Sequence, residues 1–131
     1  MRFLAGFKAQ SLWLRGLKRF HQGRCDEAAR LFTEAFNLDP KTYEVSSLHY
    51  SVLGRSYLAL GQADNALAML SRAHDLFHAD DRSRWRDFEW QEFVLTLKAF
   101  ANALHRCGQF ERAKQVAQEV TEYAGAPQTK T

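Results

Sequence analysis

The chain has few of the residues that punctuate β-rich folds or cross-link small secreted proteins. Its 131 residues include two prolines, two cysteines and seven glycines. Two cysteines are too few for a disulfide framework, so the sequence predicts a reduced, cytoplasmic protein. Five of the glycines are regularly placed and two lie near the ends, which leaves no turn residues for a β-sheet protein. The composition therefore predicts an all-α fold.

The sequence also has no long apolar run. A membrane-spanning helix needs about 18 consecutive apolar residues, and no segment of the chain reaches that length. The apolar stretch near the start is interrupted by Lys8 and is too short for a secretory signal. We therefore expect no transmembrane segment. Hydrophobic residues nevertheless make up 46% of the chain, which is enough to build the core of one domain.

The glycines that are present recur in a fixed relation to other small residues. Gly23, Gly61 and Gly108 each precede an alanine by five residues and follow a small residue by seven. Apolar residues recur at three- and four-residue steps on both sides of each glycine, as in amphipathic helices. The pattern predicts three units of helix, tight turn and helix, in which the glycine supplies the positive φ that ends the first helix.

This pattern resembles the tetratricopeptide repeat, and the second unit is the nearest to that signature. It carries the small and aromatic residues of the signature in register, namely Tyr50, Leu53, Gly54, Tyr57, Gly61, Ala66 and Ala73. The first unit departs at Arg15 and Arg19, and the third has Ala101 and Val120 where glycine and alanine are usual. The resemblance implies three stacked antiparallel helix-turn-helix repeats that form a short right-handed α-solenoid.

The repeats would span about 9–40, 47–78 and 94–125 of a single domain, 1–125, followed by a disordered tail, 126–131. About thirteen residues are inserted before the third unit, at about 79–93. The apolar stripe of that unit continues back through Phe93 and Trp90, so we expect its first helix to be longer by two or more turns. Trp85 and Phe88 fit the stripe less well, and the sequence leaves open whether they cap the second unit or lie exposed.

The resemblance also predicts where a ligand binds. In tetratricopeptide proteins the first helix of each repeat lines a concave groove that holds an extended peptide or a helix. Twelve side chains here would line it: Trp13, Leu14, Leu17, Phe20, His21, Val52, Arg55, Leu58, Lys98, Asn102, His105 and Arg106. Such a groove is apolar at one end and basic at the other, which suits a protein or peptide with apolar and acidic segments. We therefore predict an adaptor or chaperone-like protein without catalytic activity.

Two other functions are compatible with the sequence. Residues 1–24 carry six basic side chains and no acidic one, and a second run, Arg82–Arg86, interleaves arginine with Trp85. Both could contact RNA or a membrane surface, but acidic neighbours nearly neutralise the second run, so nucleic acid is the less favoured partner. The apolar residues of the first helix could instead pack against residues 1–8 or against a second copy of the chain, as in a homo-oligomer.

The sequence gives little support for an enzyme. His74 and His78 share a helix face at a spacing that can bind a metal, but no third ligand follows from the spacing, so we predict no metal site. Cys107 lies near His105 without a third group to orient them. The glycines occur one per hairpin and form no phosphate-binding loop. The sequence therefore predicts no cofactor and no catalytic residues.

Overall fold

The computed structural model describes residues 2–124, with side chains for residues 4–124. Within this range the chain forms seven α-helices and one short 3-10 helix, Arg82–Arg84. The α-helices are α1 (Arg2–His21), α2 (Cys25–Leu38), α3 (Pro40–Tyr43), α4 (Ser47–Ala59), α5 (Ala63–Ala79), α6 (Asp87–Arg106) and α7 (Phe110–Ala124). Because the described residues contain no strand, the all-α prediction is confirmed. The tail predicted at 126–131 lies outside the described residues.

In each of the three long hairpins, one glycine ends the first helix, as predicted. Gly23, Gly61 and Gly108 have φ values of 77°, 76° and 80°, and they lie between α1 and α2, α4 and α5, and α6 and α7. In each turn the residue after the glycine donates its backbone N–H to a carbonyl one turn back in the first helix, at 2.9 Å. This arrangement satisfies carbonyls that the helix end would otherwise leave free.

Small residues in the first helices allow the second helices to approach closely. A methyl group added at Gly16 would lie 2.7 Å from the ring of Phe32, and one added at Gly54 would lie 2.6 Å from Cγ of Leu70. Phe32 and Leu70 are fully buried. The hairpins are therefore packed more tightly than a side chain at either glycine would allow.

The first helices of the three hairpins run in the same direction. Each hairpin pairs its own two helices, and α4 also contacts α1, α2 and α6. Trp13 of α1 meets His49 near the start of α4, and Phe20 meets Arg55 near its end. Similar contacts join the middle and end of α4 to the middle and end of α6. Helix α4 therefore lies between α1 and α6, with both of them parallel to it.

The inserted segment 79–93 contributes to the core and to α6. Helix α6 begins at Asp87, about two turns before Val94, so the predicted extension is confirmed. Trp85 is 9% exposed, and its Nε1–H donates to Oδ2 of Asp80 at 2.8 Å. Phe88, by contrast, is 55% exposed. Trp85 is thus a core residue and Phe88 a surface one.

None of the helices in the described range combines the length and the apolarity that crossing a bilayer requires.

Candidate functional site

A chain of contacts joins the three first helices at one place. The guanidinium of Arg55 lies 5.2 Å from the centre of the Phe20 ring, and its Nη2 donates to Oε1 of Glu92 at 2.6 Å. Both side chains of this ion pair are only 15% exposed. Arg55 Nε is buried and has no hydrogen-bond partner among the described residues. Arg55, predicted to meet a ligand, therefore serves first as a charged link between α1, α4 and α6.

Helix α1 presents one row of exposed side chains beside this link. Phe7, Leu14 and His21 recur every seven residues, which places them on one helix face. Phe7 is 68% exposed and Leu14 is 54% exposed. Leu17 and Phe20 lie closer to α4 and are partly buried against the core between α2 and α4. Of the predicted α1 residues, Leu14 and His21 are thus the ones open to a ligand.

Helix α6 presents a matching row on the other side of α4. Phe88, Leu95 and Asn102 also recur every seven residues, and Arg106 extends the same face by one turn. Leu95 is 42% exposed. Nη1 of Arg106 lies 3.5 Å from the carbonyl oxygen of Leu58, which shows that this face borders α4.

The four predicted groove residues of α6 lie on the surface. Lys98, Asn102, His105 and Arg106 are exposed. Among the described residues, no acidic side chain forms an ion pair with Lys98 or Arg106. The ring of His105 packs edge-on against Phe110, 4.9 Å between centroids. We call the exposed rows of α1 and α6, together with Arg55 and Leu58 of α4, the first-helix surface.

Three of the predicted groove residues pack against the core, and one of them, Leu58, also remains part of the first-helix surface. Val52 is 2% exposed and packs among buried residues of α2 and α4, and Leu58 packs partly against the core cluster of α5, α6 and α7. The Trp13 ring stacks on Tyr43, with centroids 6.0 Å apart, and lies 5.6 Å from Phe32. Helix α4 has neighbouring helices on several sides. Most of its side chains, and the α1 side chains that face it, therefore pack against other residues of the protein.

Trp13 is also held by a buried histidine. Its Nε1–H donates to Nδ1 of His49 at 3.2 Å. His49 is 1% exposed, and burial lowers its pKa to about 4. The ring is therefore neutral near pH 7, with Nδ1 as the acceptor. This pair supports the fold beneath the first-helix surface.

A second cluster lies away from that surface, where α5 meets α7. His74 and His78 are one turn apart on α5, and both direct Nε2 at the carboxylate of Glu119 on α7. The distances are 3.1 Å from His74 to Oε2 and 2.7 Å from His78 to Oε1. Burial lowers the pKa of His74, against the opposing effect of its hydrogen bond to Glu119. Glu119 could not be predicted from the sequence because it lies on another hairpin. Only the spacing of the two histidines on α5 indicated a possible cluster here.

The two cysteines form no disulfide. Sγ of Cys107 donates to Oδ1 of Asp64 at 3.4 Å. Burial, followed by this hydrogen bond and the nearby charge, raises the pKa of the thiol. A thiol with a raised pKa is a poor nucleophile near neutral pH because little thiolate is present.

No protein-family model matches the chain, and a search of curated proteins finds no match either. The first-helix surface and the histidine cluster are therefore the features from which a function can be inferred.

Proposed function

We propose that the protein is a three-repeat scaffold of the tetratricopeptide type that binds a polypeptide partner on its first-helix surface. The glycine-ended hairpins and the parallel first helices support a short right-handed solenoid in which α1, α4 and α6 line the concave side. Binding on this surface needs no catalysis, and the protein acts as an adaptor or chaperone-like module in the cytoplasm.

The observation that carries the proposal is the pair of exposed apolar rows on either side of α4. Single exposed leucines are common on protein surfaces and mean little alone. Here Phe7 and Leu14 on one side and Phe88 and Leu95 on the other are between 42% and 68% exposed. Because about half of each side chain is already covered, burying the rest of one contributes roughly half of the 1.5–3 kcal/mol that full burial gives. A partner that covers both rows therefore gains enough apolar contact for specific binding.

Charge adds a second requirement for the partner. The charge of Arg55 is balanced by Glu92 within the structure, so the available positive charge lies on Lys98 and Arg106 of α6. Asn102, between them on the helix, adds an amide donor. The best-fitting partner is a helix or extended segment with apolar side chains followed by carboxylates.

The alternative of RNA binding is less well supported. Trp85 is buried and bonded to Asp80, so its ring is not available to stack on a base. Arg82 Nη1 donates to the hydroxyl of Tyr123 at 2.9 Å, and its guanidinium lies over the same ring. Two members of the run, Arg82 and Trp85, are therefore engaged within the protein, which favours a polypeptide partner.

The test introduces two charges into the first-helix surface. We expect the double variant Leu14→Asp and Leu95→Asp to lose its partner in affinity purification followed by mass spectrometry. The reason is that burying an aspartate carboxylate against an apolar ligand costs free energy of desolvation. Val45→Asp with Leu60→Asp is the matched control, since these residues are 65% and 39% exposed and lie outside that surface.

The expected result is a partner recovered with the wild type and the control but reduced at least about tenfold with the double variant. Circular dichroism and urea unfolding establish that all three proteins fold. Recovery of the same partner by the double variant contradicts the proposal. If only further copies of the chain are recovered, and light scattering shows a dimer that the double variant loses, the surface serves self-association instead.

A further inference from the structure

We propose that His74, His78 and Glu119 form a binding site for a transition-metal cation of the Zn²⁺ type. This site lies on α5 and α7 and involves none of the residues of the first-helix surface. Two imidazole nitrogens and one carboxylate oxygen are a ligand set that Zn²⁺ uses in proteins, with a water molecule as the fourth ligand.

The three ligand atoms already converge. One atom from each residue lies within 4.8 Å of the others, and the two histidine Nε2 atoms are 2.7–3.2 Å from the Glu119 oxygens. In a tetrahedral site with bonds of about 2.1 Å, ligand atoms are about 3.4 Å apart. The histidine–glutamate separations are thus a few tenths of an ångström shorter than in such a site, while the three ligand atoms together stay within 4.8 Å of one another. Small shifts of the Glu119 carboxylate and of the two rings would admit the cation.

The local fold holds two of the ligands in place. His74 is nearly buried, and its ring lies 5.1 Å from that of Phe100. His78 packs edge-on against Phe93 at 5.5 Å, yet a third of its side chain remains exposed. The packing orients both rings, and the exposed side gives access to a cation and to the completing water.

The surrounding charges are mixed but compatible with a cation. Glu119 is a direct counter-charge, and Oδ1 of Asp75 lies 3.9 Å from Nδ1 of His74. Arg112 is close enough to act on His74 and opposes a second positive charge. Burial lowers the pKa of His74, which favours the neutral imidazole that a metal ligand requires. When a cation is bound through the two Nε2 atoms, each histidine ring carries its proton on Nδ1.

A cation here would connect two hairpins. Helix α5 belongs to the second hairpin and α7 to the third, and both pack on α6. Since the three ligands come together only in the folded chain, binding would stabilise the native state in proportion to the logarithm of metal concentration.

The test is titration of chelator-treated protein, purified without a polyhistidine tag, with zinc chloride in a calorimeter. We expect saturable one-to-one binding. Loss of even an outer-shell partner costs about 10- to 100-fold in metal affinity, so His78→Ala and Glu119→Gln should each weaken binding at least about tenfold. Glu119→Gln keeps the side-chain shape and can still hydrogen-bond the histidines, so it should fold normally.

Two control variants separate this site from other ligands. Glu122→Gln removes an exposed carboxylate one turn further along α7, and Cys25→Ser with Cys107→Ser removes both thiols; neither should change the affinity. Zinc should raise the thermal midpoint of the wild type but not that of Glu119→Gln. Absence of saturable binding by the wild type overturns the proposal. Undiminished binding by either ligand variant, or weaker binding by the thiol variant, overturns it as well.

Discussion

Replacing Gly54 by alanine tests how closely the two helices of the central hairpin approach each other. In an exposed helix this substitution stabilises a protein by roughly 0.8–1 kcal/mol, because alanine has the higher helix propensity. At Gly54 the new methyl group would lie 2.6 Å and 2.9 Å from two side-chain carbons of Leu70 and 3.3 Å from its backbone nitrogen. Leu70 is fully buried, so its side chain cannot turn out into solvent to make room.

The magnitude follows from two opposing effects. Adding a methyl group to a well-packed core costs about 1–3 kcal/mol, and the gain in helix propensity offsets roughly 1 kcal/mol of that. We therefore expect Gly54→Ala to lower the free energy of unfolding by about 1 kcal/mol. At Gly6 the nearest atom to the new methyl would be Oδ2 of Asp39, at 3.5 Å, which is ordinary contact. Gly6→Ala should therefore raise the stability, by up to about 1 kcal/mol.

The assay is urea unfolding followed by far-ultraviolet circular dichroism, with free energies extrapolated to water. The decisive quantity is the difference in sign between Gly54→Ala and Gly6→Ala, since both make the same chemical change. A cycle with Leu70→Ala adds a second measure, because the methyl at position 54 should be tolerated once the Leu70 side chain is shortened. Equal stabilisation by both glycine substitutions would refute the close packing of α4 on α5.

Two further predictions concern buried charge. In the folded protein the pKa of His49 is about 4, against its ordinary value of 6.5. Between these two pH values only the unfolded chain takes up a proton at this histidine. The free energy of unfolding should therefore fall by about 3 kcal/mol as the pH drops from 6.5 to 4. In urea unfolding at a series of pH values, His49→Gln should lose this part of the slope, and an unchanged slope would contradict a buried neutral imidazole. Glu92→Gln should lower the free energy of unfolding by about 3 kcal/mol, because it leaves the Arg55 guanidinium without its counter-charge. Replacing both Arg55 and Glu92 by methionine should leave the free energy of unfolding nearly unchanged. A cost below about 0.5 kcal/mol for Glu92→Gln would indicate a solvated pair.

The helical hairpins could be predicted from the sequence because their signals are local. A glycine with positive φ and a backbone bond across the turn require only adjacent residues, and Gly23, Gly61 and Gly108 all behave as expected. The extension of α6 could be predicted for the same reason, since Trp90 and Phe93 continue an apolar stripe of helical period.

The exposed residues of the proposed binding surface could be predicted only in part, because repeat register does not identify the neighbours of a side chain. Val52 was expected in a groove, but in the structure it faces α2. Arg55 was expected to be available to a ligand, yet its charge is used by Glu92, which lies outside the repeat pattern. Glu119 is brought to His74 and His78 by the packing of α5, α6 and α7, which no spacing within one helix can show.

The two segments between the repeats show how residues outside a repeat pattern can complete it. The glycine turns close one end of each hairpin, but the opposite ends have no such turn. The first segment, residues 41–46 between the first and second repeats, contains most of α3, whose Tyr43 is 8% exposed and lies 6.0 Å from the Trp13 ring and 5.4 Å from His49. The second places Trp85, also nearly buried, 5.2 Å from the ring of Phe93. Each segment thus places an aromatic side chain, just before the next first helix, over the open end of the core beneath the first-helix surface.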